Sequence, residues 1–238
     1  MTTSQRESFT LRVLSGGAAQ GLVRALEEDF RGDSGASVQG TFGAVGAMRA
    51  KLLAGEPCDA VILTAALIAE LEREGRVVPG TSAPLGRVRT GVAVRAGEVL
   101  PDIADGPALR DTLLGATGIY FPDPELATAG VHFVKVLRTL GILDAVAPRL
   151  HPYPNGATAL RELANSTEPG QVGCTQITEI KYTAGVELVG PLPAEFELST
   201  VYTVAVCTGA RDPELARRFA RLLSDPAARP LRESAGFE

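Results

Sequence analysis

The chain has 238 residues, of which 45% are hydrophobic and 21% are charged, and its formal net charge is −5. This length supports a substantial hydrophobic core, in one large domain or two small ones. Twenty of the 23 basic residues are arginines scattered singly, so no basic stripe is available for a phosphate backbone and we expect no nucleic-acid partner. No apolar run reaches the roughly 18 residues that a membrane span needs, so we expect no membrane insertion.

Cysteine and histidine are scarce. Cys58, Cys174 and Cys207 are odd in number and lack a CxxC spacing, which predicts buried free thiols rather than a disulfide framework or a zinc site. With only His132 and His151 present, a histidine-built metal centre is disfavoured, although oxygen-ligand sites stay open. We expect no cofactor, because the chain has neither the G-x-G-x-x-G nor the G-K-S/T pattern of nucleotide-binding loops, and no hydrolase motif occurs.

The first part of the chain alternates strands with helices. Hydrophobic periodicity predicts strands over residues 10–14, 38–42 and 59–63. Helices are predicted over about residues 20–30, between the second and third strands up to Gly55, and over about residues 66–74. This order implies a mostly parallel sheet with helices on both faces.

A second alternating block begins after Gly86. Strands are predicted over residues 87–94, 118–121, 171–175 and 186–189, and helices over about residues 108–114, 130–140 and 157–164. A final strand over residues 199–207 and a helix over residues 213–223 have no sheet of their own, so we expect them to return to the first block.

These two blocks predict an α/β protein of two lobes. Lobe I comprises residues 1–86 plus 201–238, and lobe II comprises residues 87–200, with hinge crossings near residues 84–90 and 196–203. Open α/β sheets bind ligands at the carboxyl ends of their strands, so we expect the ligand cleft between the lobes.

The turns that would face this cleft are rich in small residues. Ser15-Gly16-Gly17-Ala18 precedes the first helix, and Gly43-Ala44-Val45-Gly46 precedes the second. Such turns present unpaired backbone N–H groups and the positive end of a helix dipole, which together can hold an anion without a Lys or Arg.

Five short motifs carry a family resemblance that runs from about residue 10 to residue 235. They resemble the molybdate-binding proteins of ABC transporters, and they are residues 13–18 (VLSGGA), residues 42–47 (FGAVGA), residues 56–64 (EPCDAVILT), Asp123-Pro124 with Thr128-Ala129-Gly130, and residues 172–179 (VGCTQITE). The resemblance implies a type II periplasmic-binding-protein fold, in which each lobe is a mostly parallel sheet flanked by helices and a ligand is enclosed between the lobes.

The resemblance also implies where a ligand is held. In that family, hydroxyls and backbone N–H groups at helix starts hold the oxyanion. The corresponding turns and helix starts here give the candidate ligand-binding residues Ser15, Gly16, Gly17, Ala18, Ala44, Val45, Gly46, Thr64, Thr128, Ala129, Asn155, Gly156, Ala157 and Gln176.

Departures from the family pattern bear on the ligand. The family's serines in both turns of lobe I are Ala or Val here, and its tyrosine is Gln176. Each lost hydrogen bond to a charged group is worth about 1.5–3 kcal/mol, so weak molybdate binding is expected unless Ser15, Thr64 or Thr128 supplies the missing donors.

A divergent branch of this family includes aconitate isomerases, which makes an enzyme the alternative. A carboxylate ligand suits the same helix-start amides and adds a role for Arg49, Arg89 and Gln176. An isomerase that moves a proton beside a carboxylate needs a base, for which the catalytic candidates are His132 and Glu179, followed by Asp123 and Tyr120.

We therefore expect a solute-binding protein that captures a small anion, an organic carboxylate rather than molybdate, for an ABC transporter permease. The alternatives are a cofactor-independent isomerase of an unsaturated carboxylic acid and a cytoplasmic anion sensor. Because the chain as given starts with polar residues, we expect no signal peptide within it. A periplasmic location is expected if such a peptide was removed, and a cytoplasmic location if Met1 is the native start.

Overall fold

The computed structural model describes residues 9–238. The first eight residues, on which the expectation about a signal peptide depends, lie outside the described residues. Within the described range, no helix combines the length and apolar character needed to cross a membrane.

The described strands form one continuous mixed sheet in the order β2-β1-β3-β9-β4-β7-β5-β6, with β8 also paired to β4. Their bounds are β1 Thr10–Gly16, β2 Ser37–Gly43, β3 Ala60–Thr64, β4 Ala83–Arg95, β5 Gly118–Pro122, β6 Leu150–Tyr153, β7 Gln171–Gln176, β8 Val186–Pro191 and β9 Ser199–Val206. β1 runs parallel to β2 and β3, and β5 runs parallel to β6 and β7. Each lobe therefore contains three parallel strands; the parallel arrangement was predicted, whereas β6 in the second lobe was not.

Helices cover the sheet. Their bounds are α1 Gln20–Ser34, α2 Val45–Leu53, α3 Ala65–Arg73, α4 Gly106–Gly115, α5 Thr128–Thr139, α6 Leu143–Val146, α7 Gly156–Asn165, α8 Ile177–Tyr182, α9 Pro213–Ser224 and α10 Arg229–Ala235. α1 is amphipathic and buries Leu22, Leu26 and Phe30 on one face. It is capped at its carboxyl end by Gly35, whose φ of 73° favours glycine.

β4 and β9 connect the two lobes. Residues 83–89 of β4 pair antiparallel with β9, whereas residues 90–95 pair with β7 and β8. One long strand thus begins in the first lobe and ends in the second. The predicted strand 87–94 was too short because β4 continues through Gly86, where its register against β9 shifts.

The hydrophobic cores follow the same division. One core gathers buried residues between Leu11 and Val88 and between Tyr202 and Phe237. Two further cores lie between Val92 and Leu192, on the two faces of the second lobe's sheet strands. The three cysteines are buried free thiols, which confirms that prediction.

Four short elements were absent from the sequence prediction: β6, α6, α8 and α10. β6 is a four-residue edge strand that contains Pro152. α8 has six residues and starts directly after β7. The sequence from Gln171 onward therefore predicted one strand followed by a polar segment, with no helix. Elements this short carry too few residues to show a period.

Asp59 fastens the start of β3 to two other segments of the first lobe. Its side chain is 1% exposed. Oδ2 accepts a hydrogen bond from the backbone N–H of Arg12 at 2.8 Å, and Oδ1 accepts one from the backbone N–H of Arg211 at 2.8 Å. The backbone N–H groups of Arg12 and Arg211 therefore share one acceptor, the Asp59 carboxylate.

We expect Asp59→Ala to lower the free energy of unfolding by about 2–5 kcal/mol, because it removes two hydrogen bonds to a charged group. Asp33→Ala is the matched control, since Asp33 forms only a surface ion pair with Arg218 and should contribute below about 1 kcal/mol. Denaturant unfolding measures both values. Equal losses in the two variants would contradict this role for Asp59.

Candidate functional site between the lobes

A cavity of about 20 Å³ lies between the two lobes, where β1, β2, β5 and β7 end. This is room for about one water molecule, so a larger ligand requires the lobes to separate. Nine of the candidate binding residues line it: Gly17, Ala18, Ala44, Val45, Thr128, Ala129, Asn155, Gly156 and Gln176. Gly43, Pro122, Ala127, Glu179 and Tyr202 complete the lining.

The other five candidates lie around this lining. Ser15 is fully buried and donates its hydroxyl to the Gly16 carbonyl at 2.9 Å, while Thr64 caps α3 by accepting from the Leu67 N–H. Of the three hydroxyls considered as replacement donors, Thr128 is therefore the one in the cavity lining.

Gly16, Gly46 and Ala157 have structural contacts at the rim. A Cβ at Gly16 would lie 3.0 Å from the Tyr202 ring, so glycine allows that ring to approach. The Gly46 N–H donates to the Leu126 carbonyl at 3.1 Å, which joins the start of α2 to the loop before α5. The Ala157 N–H points to Glu179.

Four helices begin at the cavity. Ala44 is the N-cap of α2, Thr128 is the first residue of α5, Asn155 is the N-cap of α7 and Gln176 is the N-cap of α8. Asn155 Oδ1 accepts a hydrogen bond from the Thr158 N–H at 2.9 Å. The N–H groups before Thr158, at the start of α7, are therefore free for another acceptor. Helix starts from both lobes thus direct their positive ends toward one small space.

Glu179 on α8 supplies the acceptor for α7. Its side chain is buried, and its carboxylate accepts a hydrogen bond from the Thr175 hydroxyl at 2.5 Å. The nearby backbone N–H groups of Gly156, Ala157 and Gln176 favour its charged form and lower its pKa. A Cβ at Gly156 would collide with this carboxylate. The negative charge therefore lies directly on the first amides of α7.

Gly17 faces the same carboxylate from the opposite lobe. A Cβ at Gly17 would collide with Oε1 of Glu179. Gly17 lies in the turn that follows β1 of the first lobe. The Glu179 carboxylate of the second lobe therefore packs against backbone of the first lobe, with no side chain of the first lobe between them. Glycine at 17 leaves room for this carboxylate, and its backbone has no positive φ.

Burial raises the pKa of the Glu179 carboxyl above the ordinary value for glutamate, and the Thr175 hydroxyl and the nearby backbone N–H groups oppose this shift only in part. A carboxyl with a raised pKa at the wall of a cavity keeps its proton at a higher pH than an ordinary glutamate and is a candidate for proton transfer. Among the residues that the structure describes, no cluster of His, Cys, Asp and Glu could hold a metal ion.

Gln176 is the second polar group of the lining. Its side chain is 3% exposed, and among the described residues neither its Oε1 nor its Nε2 has a hydrogen-bond partner. A buried polar atom without a partner costs about 1–3 kcal/mol. An amide left in this condition at a cavity wall is suited to a ligand that both accepts and donates hydrogen bonds.

Tyr202 is a lining residue that the sequence analysis did not identify. It lies on β9, 2% exposed, and its phenol lies near the Thr128 hydroxyl across the lobes. Burial raises the pKa of this phenol above its usual range, so it stays a neutral hydrogen-bonding group. The phenol missing at position 176 is thus present in the same cavity, supplied by the strand that connects the lobes.

The remaining acid and base candidates lie outside the cavity lining. His132 Nε2 is 2.7 Å from the Phe196 carbonyl oxygen. Asp123 caps the turn before α5 through the Glu125 and Leu126 N–H groups. The structure therefore brings Glu179, but not His132 or Asp123, to the enclosed space.

Other proposed contacts are engaged elsewhere. Tyr120 and His151 stack on each other with ring centroids 4.8 Å apart. Arg49 forms an ion pair with Glu74 at 2.6 Å, and Arg89 Nε donates to the Glu238 carboxylate at 2.8 Å. None of these four groups lines the cavity.

We expect the stability of Glu179→Gln, relative to the unsubstituted protein, to increase as pH rises above about 4.5, the ordinary pKa of a glutamate carboxyl. A carboxyl whose folded pKa is raised stabilises the fold in its protonated form, and this contribution is lost as pH rises through the folded pKa. Melting temperatures of both proteins across this range test it. A difference that stays constant with pH would show that burial does not raise the pKa.

Several known proteins are similar to this chain in sequence or in fold. The aconitate isomerase of a Pseudomonas species is 27% identical, with 96% of this chain and 87% of that protein aligned. Molybdate-binding protein ModA of Escherichia coli K12 is 23% identical, with 92% of this chain and 86% of that protein aligned. The periplasmic molybdate-binding protein of Azotobacter vinelandii superposes with a TM-score of 0.78 at 19% identity, over 96% of this chain and 98% of that one.

These similarities confirm the type II periplasmic-binding-protein fold that the sequence predicted. A family model described as bacterial extracellular solute-binding protein matches residues 11–238. Because that match spans almost all of the described chain, the protein belongs to the family of bacterial extracellular solute-binding proteins.

Proposed function

We propose that this protein captures a small organic carboxylate in the cavity between its lobes and presents it to an ABC transporter permease. The observation that carries the proposal is the unpartnered amide of Gln176, buried at a cavity on which helix starts from both lobes converge. A carboxylate accepts from the amide nitrogen and from helix-start N–H groups, while a hydroxyl or protonated carboxyl of the ligand satisfies the amide oxygen.

The lining favours an organic anion over molybdate. The turn positions Ala18, Ala44 and Val45 present methyl groups where the resembled family has hydroxyls. With the walls at Pro122 and Ala127 they offer apolar contact, which a carbon skeleton uses and a bare oxyanion does not. The names of the relatives, an aconitate isomerase and a molybdate-binding protein, are compatible with an anionic ligand.

Hinge closure would admit and enclose the ligand. We infer lobes of residues 1–86 plus 201–238 and residues 87–200, rotating about β4 and the return segment into β9. Two contacts across the cleft support this closed arrangement: the Gly46 N–H to the Leu126 carbonyl and the Thr128 hydroxyl to the Tyr202 phenol. The extracellular character of the family supports a site of action outside the cytoplasmic membrane.

We expect Gln176→Leu to weaken binding of the captured carboxylate about 10- to 100-fold, because a hydrogen bond to a charged group is worth about 1.5–3 kcal/mol. A thermal-shift screen of di- and tricarboxylates, molybdate, tungstate, sulfate and phosphate identifies the ligand, and calorimetry measures its affinity.

Gln171→Leu is the matched control for this variant. Gln171 is a buried glutamine on the same strand, also with an unpartnered Oε1 among the described residues, but it lies outside the cavity lining. Its substitution should leave affinity unchanged. Equal affinities in both variants, or a screen in which only molybdate and tungstate bind, would refute the proposal.

A second candidate function is isomerisation of an unsaturated carboxylic acid, and Glu179 is the observation that favours it. The Glu179 carboxylate would remove a proton from a carbon beside the ligand's double bond, and the electron pair would delocalise into the conjugated carboxylate. Helix-start amides would stabilise that charge, and the protonated Glu179 would return the proton to the other end of the allylic system.

Proton NMR in D₂O tests this candidate with each acid that binds. We expect isomer formation with deuterium incorporation, slowed at least about 100-fold by Glu179→Gln with binding retained. His132→Ala should keep its activity, because His132 bonds the Phe196 carbonyl outside the lining. Loss of activity in His132→Ala alone would reassign the base, and the absence of exchange with every bound acid would exclude isomerisation.

A further inference from the structure

The cavity has an unusual charge distribution for an anion site. Among the described residues, its lining contains the carboxyl of Glu179 and no Lys or Arg side chain. Positive potential comes from helix starts and backbone N–H groups, and the first amides of α7 already lie near Glu179. An incoming anion therefore meets an acidic group at the start of α7.

A tetrahedral dianion such as sulfate or molybdate has no arrangement that avoids this group. Each of its oxygens is a hydrogen-bond acceptor, and when fully ionised it carries no donor. The Glu179 carboxylate lies against Gly17 on one side of the cleft and Gly156 on the other, so an ion of this shape placed between the helix starts has one oxygen toward that carboxylate. Two unit charges about 4 Å apart repel strongly at the effective dielectric of a protein interior.

An organic acid has two chemically different ends. Its carboxylate can bind at the helix starts of α2 and α5, with Gln176 Nε2 and the Thr128–Tyr202 pair as further donors. Its C–H or hydroxyl end can then face Glu179, where a hydroxyl would donate to the carboxylate. The same acidic group thus repels one class of anion and orients the other.

We propose that Glu179 determines specificity by excluding tetrahedral inorganic dianions from the cavity and by orienting organic acids with a C–H or hydroxyl group toward its carboxylate. This inference rests on the proposed binding of an organic carboxylate and adds the residue that selects it. The collisions that a Cβ would cause at Gly17 and Gly156 support it, because both backbones leave room for this carboxylate at the wall of the cavity.

Glu179→Gln removes the negative charge of the side chain and keeps its size, so it tests the effect of the charge alone. Glutamine has the same size, its amide oxygen can still accept from the α7 amides, and its amide nitrogen can donate to the Thr175 hydroxyl. Glu162→Gln is the matched control, because Glu162 is an exposed acid on α7 outside the cavity lining and its loss changes the net charge equally. Glu179→Ala is a second test variant, in case Glu179→Gln does not fold.

Calorimetric titrations at about pH 8 compare sulfate, molybdate and the organic acid selected by thermal shift on all four proteins. We expect negligible dianion binding by the unsubstituted protein and by Glu162→Gln. The two variants at position 179 should bind a dianion at least roughly 100-fold more tightly.

The outcomes separate the inference from the proposed function. If the unsubstituted protein binds the organic acid and neither variant at position 179 gains dianion affinity, the selection role is wrong while carboxylate binding stands. If no organic acid binds but both variants gain dianion affinity, the proposed function fails and the selection role stands. Tight dianion binding by the unsubstituted protein would overturn the inference.

Discussion

The contact on which the site depends is the approach of the Glu179 carboxylate to the start of α7. It joins α8 to α7 within the second lobe and brings a negative charge against the backbone of Gly17 in the first lobe. Glycine at 17 and at 156 permits this approach, since a single Cβ at either position would displace the carboxylate. The size, charge and closure of the cavity all follow from this arrangement.

The sheet explains why the cavity forms at this place. β1 and β2 in the first lobe and β5 and β7 in the second end toward the interlobe space, so the helices that follow them start there. β4 pairs with strands of both lobes and holds the two halves in register. A site built this way relies on backbone N–H groups, and few side chains decide its chemistry.

Those few side chains are Glu179, Gln176, Thr128 and Tyr202. Two of them, Gln176 and Glu179, belong to the turn where β7 passes into α8, and the other two face each other across the lobes. Glu179 is acidic and buried, Gln176 lacks partners among the described residues, and the Thr128–Tyr202 pair provides hydroxyls. Selection and any proton transfer therefore depend on the same small group of residues.

Local patterns in the sequence were enough to predict most of this framework. Periodicity located the long strands and helices, and the small-residue turns at Gly17 and Ala44 located two walls of the cavity, because turn chemistry is local. The pairing of Tyr202 with Thr128 depends on two segments 74 positions apart that meet only through the path of β9. The contact of Glu179 with the start of α7 likewise required α8, a helix too short to show a period.

The most direct test is a crystal structure with the organic acid that gives the largest thermal shift. We expect electron density between the starts of α2, α5 and α7. The ligand carboxylate should lie within hydrogen-bond distance of Gln176, and a C–H or hydroxyl group of the ligand should face Glu179. Density outside the interlobe cavity, or a ligand carboxylate seated on the α7 amides with Glu179 turned away, would contradict it.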